Sequence, residues 1–174
     1  EINPCTRFTT DAIGKPGQRT FFLRGESSKK SITLIYEKVQ LQSLILEIVR
    51  FFDHLHAHFP YLSVENGSYI ESQMRIEPPL DPLFRIATLE LSYKKETDQI
   101  CLTVTEQLFI QEQTAEDEED ARTVKYWCSR DQISQFLNWS MEVINRGRPI
   151  CPLCSQPIEP EGHLCPKKNG HKKT

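Results

Sequence analysis

The most constraining feature of the sequence is a cluster of potential metal ligands near its C-terminus. Three cysteines and two histidines fall between positions 151 and 171: Cys151, Cys154, His163, Cys165 and His171. The same stretch has very few large apolar residues, so it cannot build a hydrophobic core of its own. Segments of this kind fold when a metal ion takes the place of the core. The sequence therefore predicts a C-terminal metal-binding tail, residues 147–174.

Zinc is the ion that suits this set of donors, because it binds thiolates and imidazoles in a tetrahedral arrangement. Cys151 and Cys154 form a C-P-x-C turn that brings two thiolates to one point, and Cys165 is the natural third ligand. The fourth ligand is His163, two residues before Cys165, or His171, six residues after it. Four protein ligands close the coordination sphere, so we predict one structural Zn²⁺ in a zinc ribbon or knuckle.

The remainder, residues 1–146, has the length and composition of a globular body. The chain is 38% hydrophobic and 26% charged, as soluble domains are. No apolar run approaches the roughly 18 residues that a membrane span needs, and we expect no secretory signal. Cys5, Cys101 and Cys128 are isolated from one another and are typical of small buried apolar residues. We therefore expect a reducing, cytoplasmic setting.

Apolar periodicity predicts an α+β fold for this body. Residues that alternate in polarity predict strands at 7–13, 19–24, 31–37, 83–93, 100–110 and 121–128. Between the third and fourth strands the period changes to that of an amphipathic helix. Its apolar stripe consists of Leu41, Leu44, Ile45, Ile48, Val49, Phe52 and Leu55.

A second helix follows the last strand. Ser129 and Gln132 form a capping box at its start. Its apolar stripe consists of Ile133, Phe136, Leu137, Met141 and Ile144. The order is therefore β-β-β-α twice, in residues 1–60 and 83–146, with a long loop between them. We predict antiparallel sheet covered by two helices, and a degenerate internal duplication.

The clearest hairpin, 83–93 with 100–110, carries two charged residues on its apolar face. In the predicted register, the numbers of two paired residues, one from each strand, sum to 193. Leu83 and Ala87 then lie on the same face of the hairpin as its leucine residues. Arg85 then lies diagonal to Glu106, within reach of an ion pair. A structural bridge at the rim of the sheet is the plainer interpretation, and a ligand pocket is the alternative.

Two further groups of polar residues could carry chemistry. Arg19 could meet an anion, although a surface residue beside a turn is the plainer interpretation. His54 and His58 share one helix face, yet histidines near a helix C-terminus also interact favourably with the helix dipole.

Three motifs together resemble a known family. They are the tail G-R-P-x-C-P-L-C-x-x-P-x-x-P-E-G-H-x-C-P-x-x-N-G, the P-G-Q-R-T-F segment that starts at Pro16, and the E-K-x-Q segment that starts at Glu37. They are similar to a bacterial family of conserved hypothetical proteins, a domain of unknown function. The resemblance implies a bacterial, cytoplasmic protein with a metal tail and implies no reaction. Members often carry Tyr at the position of His171, which favours His163 as the fourth ligand.

Charge and motifs favour a binding protein over an enzyme. The net charge is -3, whereas residues 145–174 hold six Lys and Arg against two Glu. No G-x-S-x-G, phosphate-binding or dinucleotide-binding motif occurs. We therefore expect a non-enzymatic adaptor whose tail contacts a protein or nucleic-acid partner. The alternatives are a single-strand nucleic-acid-binding protein and an enzyme with a pocket near Arg85 and Glu106.

Overall fold

A computed structural model describes residues 1–15, 17–108, 121–147, 151–154, 158 and 165–167. The predicted α+β class is confirmed. The strands are β1 Arg7–Ile13, β2 Thr20–Glu26, β3 Ser31–Tyr36, β4 Pro82–Lys94, β5 Gln99–Glu106 and β6 Thr123–Ser129. The helices are α1 Lys38–His58, α2 Glu71–Met74 and α3 Arg130–Asn145. The single-turn helix α2 lies where the sequence predicted only a loop.

The six strands form one sheet in the order of the chain, β1-β2-β3-β4-β5-β6. Every neighbouring pair is antiparallel except β3 and β4, which are parallel because α1 connects them. Helix α1 packs against β4 and α3, while α3 packs against β1, β5 and β6. The order β-β-β-α therefore does occur twice, although the duplication itself stays a prediction. One hydrophobic core runs through both halves.

The N-terminal segment joins the two ends of the sheet. Ile2 pairs in parallel with Tyr126 of β6, and the amide of Cys5 donates to the carbonyl of Trp127 at 2.7 Å. The sheet is therefore strongly curved, and the Tyr126 side chain crosses its interior. A Cβ added to Gly25 of β2 would lie 2.2 Å from the Tyr126 ring, so this position has room only for glycine.

Both long helices begin in the same way. The amide of Ser129 donates to Gln132 Oε1 at 2.9 Å, and the amide of Gln132 donates to Ser129 Oγ at 3.1 Å. The predicted capping box of α3 is therefore confirmed. At the start of α1, the amide of Glu37 donates to Gln40 Oε1 at 2.8 Å. In each helix, a glutamine in the first turn satisfies the amide of the capping residue.

The same two glutamines tie each helix to the other half of the chain. Gln40 Nε2 donates to the carbonyl oxygens of Ile86 at 3.0 Å and Ala87 at 3.2 Å, in β4. Gln132 Nε2 donates to the carbonyl of Cys5 at 2.9 Å, beside β1. Each helix is thus fixed to backbone that lies far from it in sequence.

The predicted register of the β4–β5 hairpin is correct over most of its length and wrong at one end. Three predicted pairs are present: Leu89 with Val104, Leu91 with Leu102, and Tyr93 with Ile100. The register shifts between Ile86 and Thr88, so Ile86 rather than Ala87 lies opposite Glu106. A shift of one residue exchanges the two faces of a strand. Phe84 and Ile86 are therefore buried, and Leu83 and Ala87 are exposed.

The helix stripes were predicted less accurately than the strands. Val49 of α1 and Met141 of α3 are exposed, contrary to prediction, whereas Trp139 and Val143 of α3 are buried. Helix α3 packs between strands on one side and α1 on the other. Its buried surface is therefore displaced from the single stripe that periodicity suggested.

Candidate metal centre

The tail follows the C-terminal end of α3, and the side chain of Arg19 binds that end. Arg19 Nη1 donates to the carbonyl of Val143 at 2.9 Å, and Nη2 to that of Ile144 at 3.4 Å. The last carbonyls of a helix lack partners within the helix, and a guanidinium also suits the negative end of its dipole. A Cβ on Gly147 would lie 1.8 Å from Arg19 Nη2, so the chain passes close to this side chain. Arg19 therefore caps α3.

Arg146 fixes the same helix end from the other side. Its guanidinium donates to Glu71 at 2.6 and 2.8 Å and to Glu142 at 2.8 Å, and it lies 5.1 Å from the centre of the Trp139 ring. These carboxylates raise the pKa of Arg146 above its usual range. Arg146 therefore ties the C-terminal end of α3 to α2.

The three tail cysteines lie together, as the sequence predicted. Their sulfur atoms are all within 4.8 Å of one another, and the Sγ atoms of Cys151 and Cys165 are 3.8 Å apart. Two thiolates on one tetrahedral zinc, each at about 2.3 Å, are separated by about 3.8 Å. Cys151 and Cys165 are buried and Cys154 is partly exposed. The cluster is therefore already spaced to hold a metal ion.

The backbone of the C-P-x-C turn prepares one of these sulfurs for coordination. Hydrogen bonds from the backbone of Cys154 and then Leu153 lower the pKa of the Cys151 thiol to about 6, although burial opposes the shift. The neighbouring thiols of Cys154 and Cys165 lower it further. The lowered pKa favours the thiolate form of Cys151, which is the form that binds metals.

The structure does not describe either candidate for the fourth ligand. His163 and His171 both lie outside the described residues. The described donors are thus the three cysteines, which can hold a metal ion in three coordination positions.

The predicted pairing of Arg85 with Glu106 is wrong. Arg85 forms an ion pair with Glu37 at the start of α1, and Arg122 Nε donates to Glu106 at 2.6 Å. Arg122 lowers the pKa of Glu106. The shift of register in β4 puts Ile86 opposite Glu106, so Arg85 lies on the other face of the sheet from Glu106. Arg122, in the segment before β6, pairs with Glu106 instead. Each residue therefore belongs to a separate ion pair, and the predicted structural bridge between the two is not formed.

The other polar groups take the plainer of their two interpretations. His58 Nδ1 donates to the carbonyl of His54 at 2.8 Å, so this side chain satisfies a carbonyl in the C-terminal turn of α1. Cys5, Cys101 and Cys128 are buried, and burial raises the pKa of Cys128 well above its usual value. Cys5 and Cys128 belong to the hydrophobic core, so these cysteines are small buried residues, as predicted.

A cleft lined by three arginines was missed by the sequence analysis. It lies beside β1 and β2 and encloses about 620 Å³, with Arg7, Arg24 and Arg75 in its lining. These residues come from separate segments, so their spacing in the sequence gives no signal. The one available sign was an arginine within the apolar strand Thr20–Glu26.

Among the described residues, no helix combines the length and the apolar character that crossing a membrane requires.

The fold and the site define a class: an α+β protein with one curved six-stranded sheet and a C-terminal cysteine cluster able to hold a metal. A family described as "Protein of unknown function (DUF3090)" matches residues 1–165. The chain belongs to this family, which confirms the resemblance to a domain of unknown function. No curated protein and no solved structure matches the chain.

Proposed function

We propose that this protein is a non-enzymatic adaptor whose tail folds around one structural zinc ion and contacts a partner. The observation that carries the proposal is the sulfur cluster: its three sulfur atoms lie within 4.8 Å of one another, and the Cys151–Cys165 separation of 3.8 Å equals that expected around tetrahedral zinc. Three thiolates favour soft ions, and a fourth protein ligand leaves no open position for a substrate. The role of the zinc is therefore to fold the tail.

His163 is the fourth ligand in this proposal. The family match ends at residue 165, so it includes His163 together with all three cysteines, whereas His171 lies beyond it. A ligand required by every member would be expected within the matched region. With His163 the site is Cys₃His, a common set for structural zinc.

Metal analysis of the purified chain tests the zinc site. We expect one zinc per chain, falling below about 0.1 equivalent in Cys151→Ser and Cys165→Ser because each loses a thiolate. His163→Ala should lose the metal as well. His171→Ala is the matched control and should keep it. Metal-free wild type would contradict the site, and loss in His171→Ala alone would contradict the choice of histidine.

The partner in this proposal is a protein, bound by the basic surface of the tail. Residues 145–174 carry six Lys and Arg against two Glu, and Lys167 follows Cys165 by two residues and is exposed. The net charge of -3 argues against a large nucleic-acid footprint. A cytoplasmic setting belongs to the same proposal, since thiolates that hold zinc must stay reduced.

Charge reversal separates the two classes of partner. We expect a co-purifying protein to be retained by the wild type and lost with Cys151→Ser and Lys167→Glu, while the urea midpoint of the body stays unchanged. Lys29→Glu makes the same charge change on an exposed turn of the body and should retain it. If Cys151→Ser still retained the co-purifying protein, the adaptor hypothesis would be contradicted. Salt-dependent binding of a fluorescent single-stranded oligonucleotide, lost in Lys167→Glu, would favour a nucleic-acid partner instead.

A further inference from the structure

The arginine cleft in the body has features of a ligand site that are independent of the tail. Its volume of about 620 Å³ lies within the usual range for small-molecule sites. Its walls come from three parts of the chain: the β1–β2 edge, the segment from Ser72 to Pro79, and the first turns of α3. The lining combines arginine and glutamine side chains with Phe8, Met74, Pro78 and Pro79.

Arg24 is the central feature of this cleft. Its Nε donates to Thr33 Oγ1 at 2.8 Å, and its two Nη atoms donate to the carbonyl oxygens of Glu77 at 3.1 Å and Pro79 at 2.8 Å. All three acceptors are neutral. Within the described part of the chain, no carboxylate lies at ion-pair distance from Arg24. The structure thus holds a positive charge in a fixed orientation and leaves it without a counter-charge.

The other two arginines differ from Arg24 because each has a carboxylate partner. Arg7 pairs with Glu26 at 3.0 Å and Arg75 pairs with Asp11 at 3.1 Å. The contact in that pair is the one from Arg75 Nε, and the Arg75 side chain is 45% exposed. A guanidinium has five N–H donors, so Arg75 can still donate to a ligand.

We propose that this cleft binds a small organic anion through an oxyanion group, either a phosphate or a carboxylate. The planar fork of a guanidinium matches two oxygens of either group. Arg24 supplies the charge, Arg75 supplies further donors, and Pro78 and Pro79 contact the apolar part of the ligand. Glu77 also lines the cleft, and its carboxylate weakens the binding of an anion.

Titration of the full-length protein followed by amide NMR tests this site. The probes are inorganic phosphate, phenyl phosphate and citrate, with sodium chloride at equal ionic strength as the control. We expect saturable shifts at residues that line the cleft, with phenyl phosphate binding more tightly than inorganic phosphate. Tighter binding of citrate than of either phosphate would identify the group as a carboxylate. Shifts that follow ionic strength alone would overturn the site.

Substitutions in the cleft lining test the site further, provided that they do not unfold the protein. Arg24→Gln removes three hydrogen bonds and can unfold the segment around it, so Gln135→Glu is the better probe. It places a negative charge at the cleft wall and should weaken phosphate binding about tenfold. Gln42→Glu makes the same change on the exposed surface of α1 and should have no effect. Glu77→Gln should tighten binding severalfold. Equal affinities in Gln135→Glu and the wild type would refute the assignment.

Discussion

Replacement of Trp139 by alanine is expected to lower the free energy of unfolding by about 3–5 kcal/mol, the largest effect that we predict for a single residue. Trp139 is fully buried between α3 and β1, and its ring lies 5.5 Å from that of Tyr69. Its Nε1 donates to the carbonyl of Thr10 at 2.5 Å. Alanine would leave a large cavity and would remove the shorter of the two hydrogen bonds to the Thr10 carbonyl, the other being from Thr9 Oγ1 at 3.3 Å. Urea denaturation monitored by circular dichroism measures the change.

The second tryptophan of the chain provides a matched control. Trp127 Nε1 is buried and has no hydrogen-bond partner among the described residues. Trp139→Phe loses both volume and a hydrogen bond and should destabilise the protein by about 1–3 kcal/mol, whereas Trp127→Phe loses no hydrogen bond. We therefore expect a clearly smaller effect of Trp127→Phe. Equal effects of the two phenylalanine variants would show that the bond from Trp139 to Thr10 contributes little.

Replacement of Asp11 by alanine is expected to destabilise the protein by about 2–4 kcal/mol. The Asp11 side chain is 2% exposed, and its carboxylate accepts hydrogen bonds from the amides of Ala12 at 2.8 Å and Ile76 at 3.1 Å. It also pairs with Arg75 at 3.1 Å, but that arginine is partly exposed, so solvent weakens this contribution. The main cost is the amide of Ile76, which would stay buried without an acceptor.

The comparison variants for Asp11 separate its charge from its hydrogen bonds. Asp11→Asn keeps a carbonyl acceptor and should lose about half as much stability as Asp11→Ala. Asp81→Ala removes an exposed carboxylate and should change stability by less than about 0.5 kcal/mol. Equal unfolding midpoints for Asp11→Ala and Asp81→Ala would contradict the role assigned to Asp11. Because Asp11 holds the segment that forms one wall of the arginine cleft, its loss should also weaken phosphate binding.

Local signals in the sequence were sufficient for much of the fold. The alternation of Ile32, Leu34 and Tyr36 and the capping box of Ser129 and Gln132 depend on neighbouring residues alone, and both predictions agree with the structure. The close approach of the three tail cysteines was predicted for a related reason. Few ways exist to fold a polar stretch of that length, and bringing its thiolates together around a metal is one of them.

Other features depend on contacts that a local pattern does not encode. The shift in β4 follows from its two partners, since Pro82 and Arg85 pair with β3 while the rest of the strand pairs with β5. Trp139 lies outside the predicted stripe because α3 has two packing surfaces. The cleft arginines were not predicted because their partners lie far away in sequence: Arg24 binds the carbonyl of Glu77, 53 residues on.

The glutamines in the first turns of the helices give a broader view of how this chain is organised. Gln40 fixes the first helix to β4, and Gln132 fixes the last helix to the backbone beside β1. Each half of the chain thus donates its helix to the other half, as two protomers do when they exchange an element. A half taken alone would lack the backbone carbonyls that its glutamine binds in the whole chain. If the predicted duplication is correct, this arrangement is an exchange of helices between two copies of one unit within a single polypeptide.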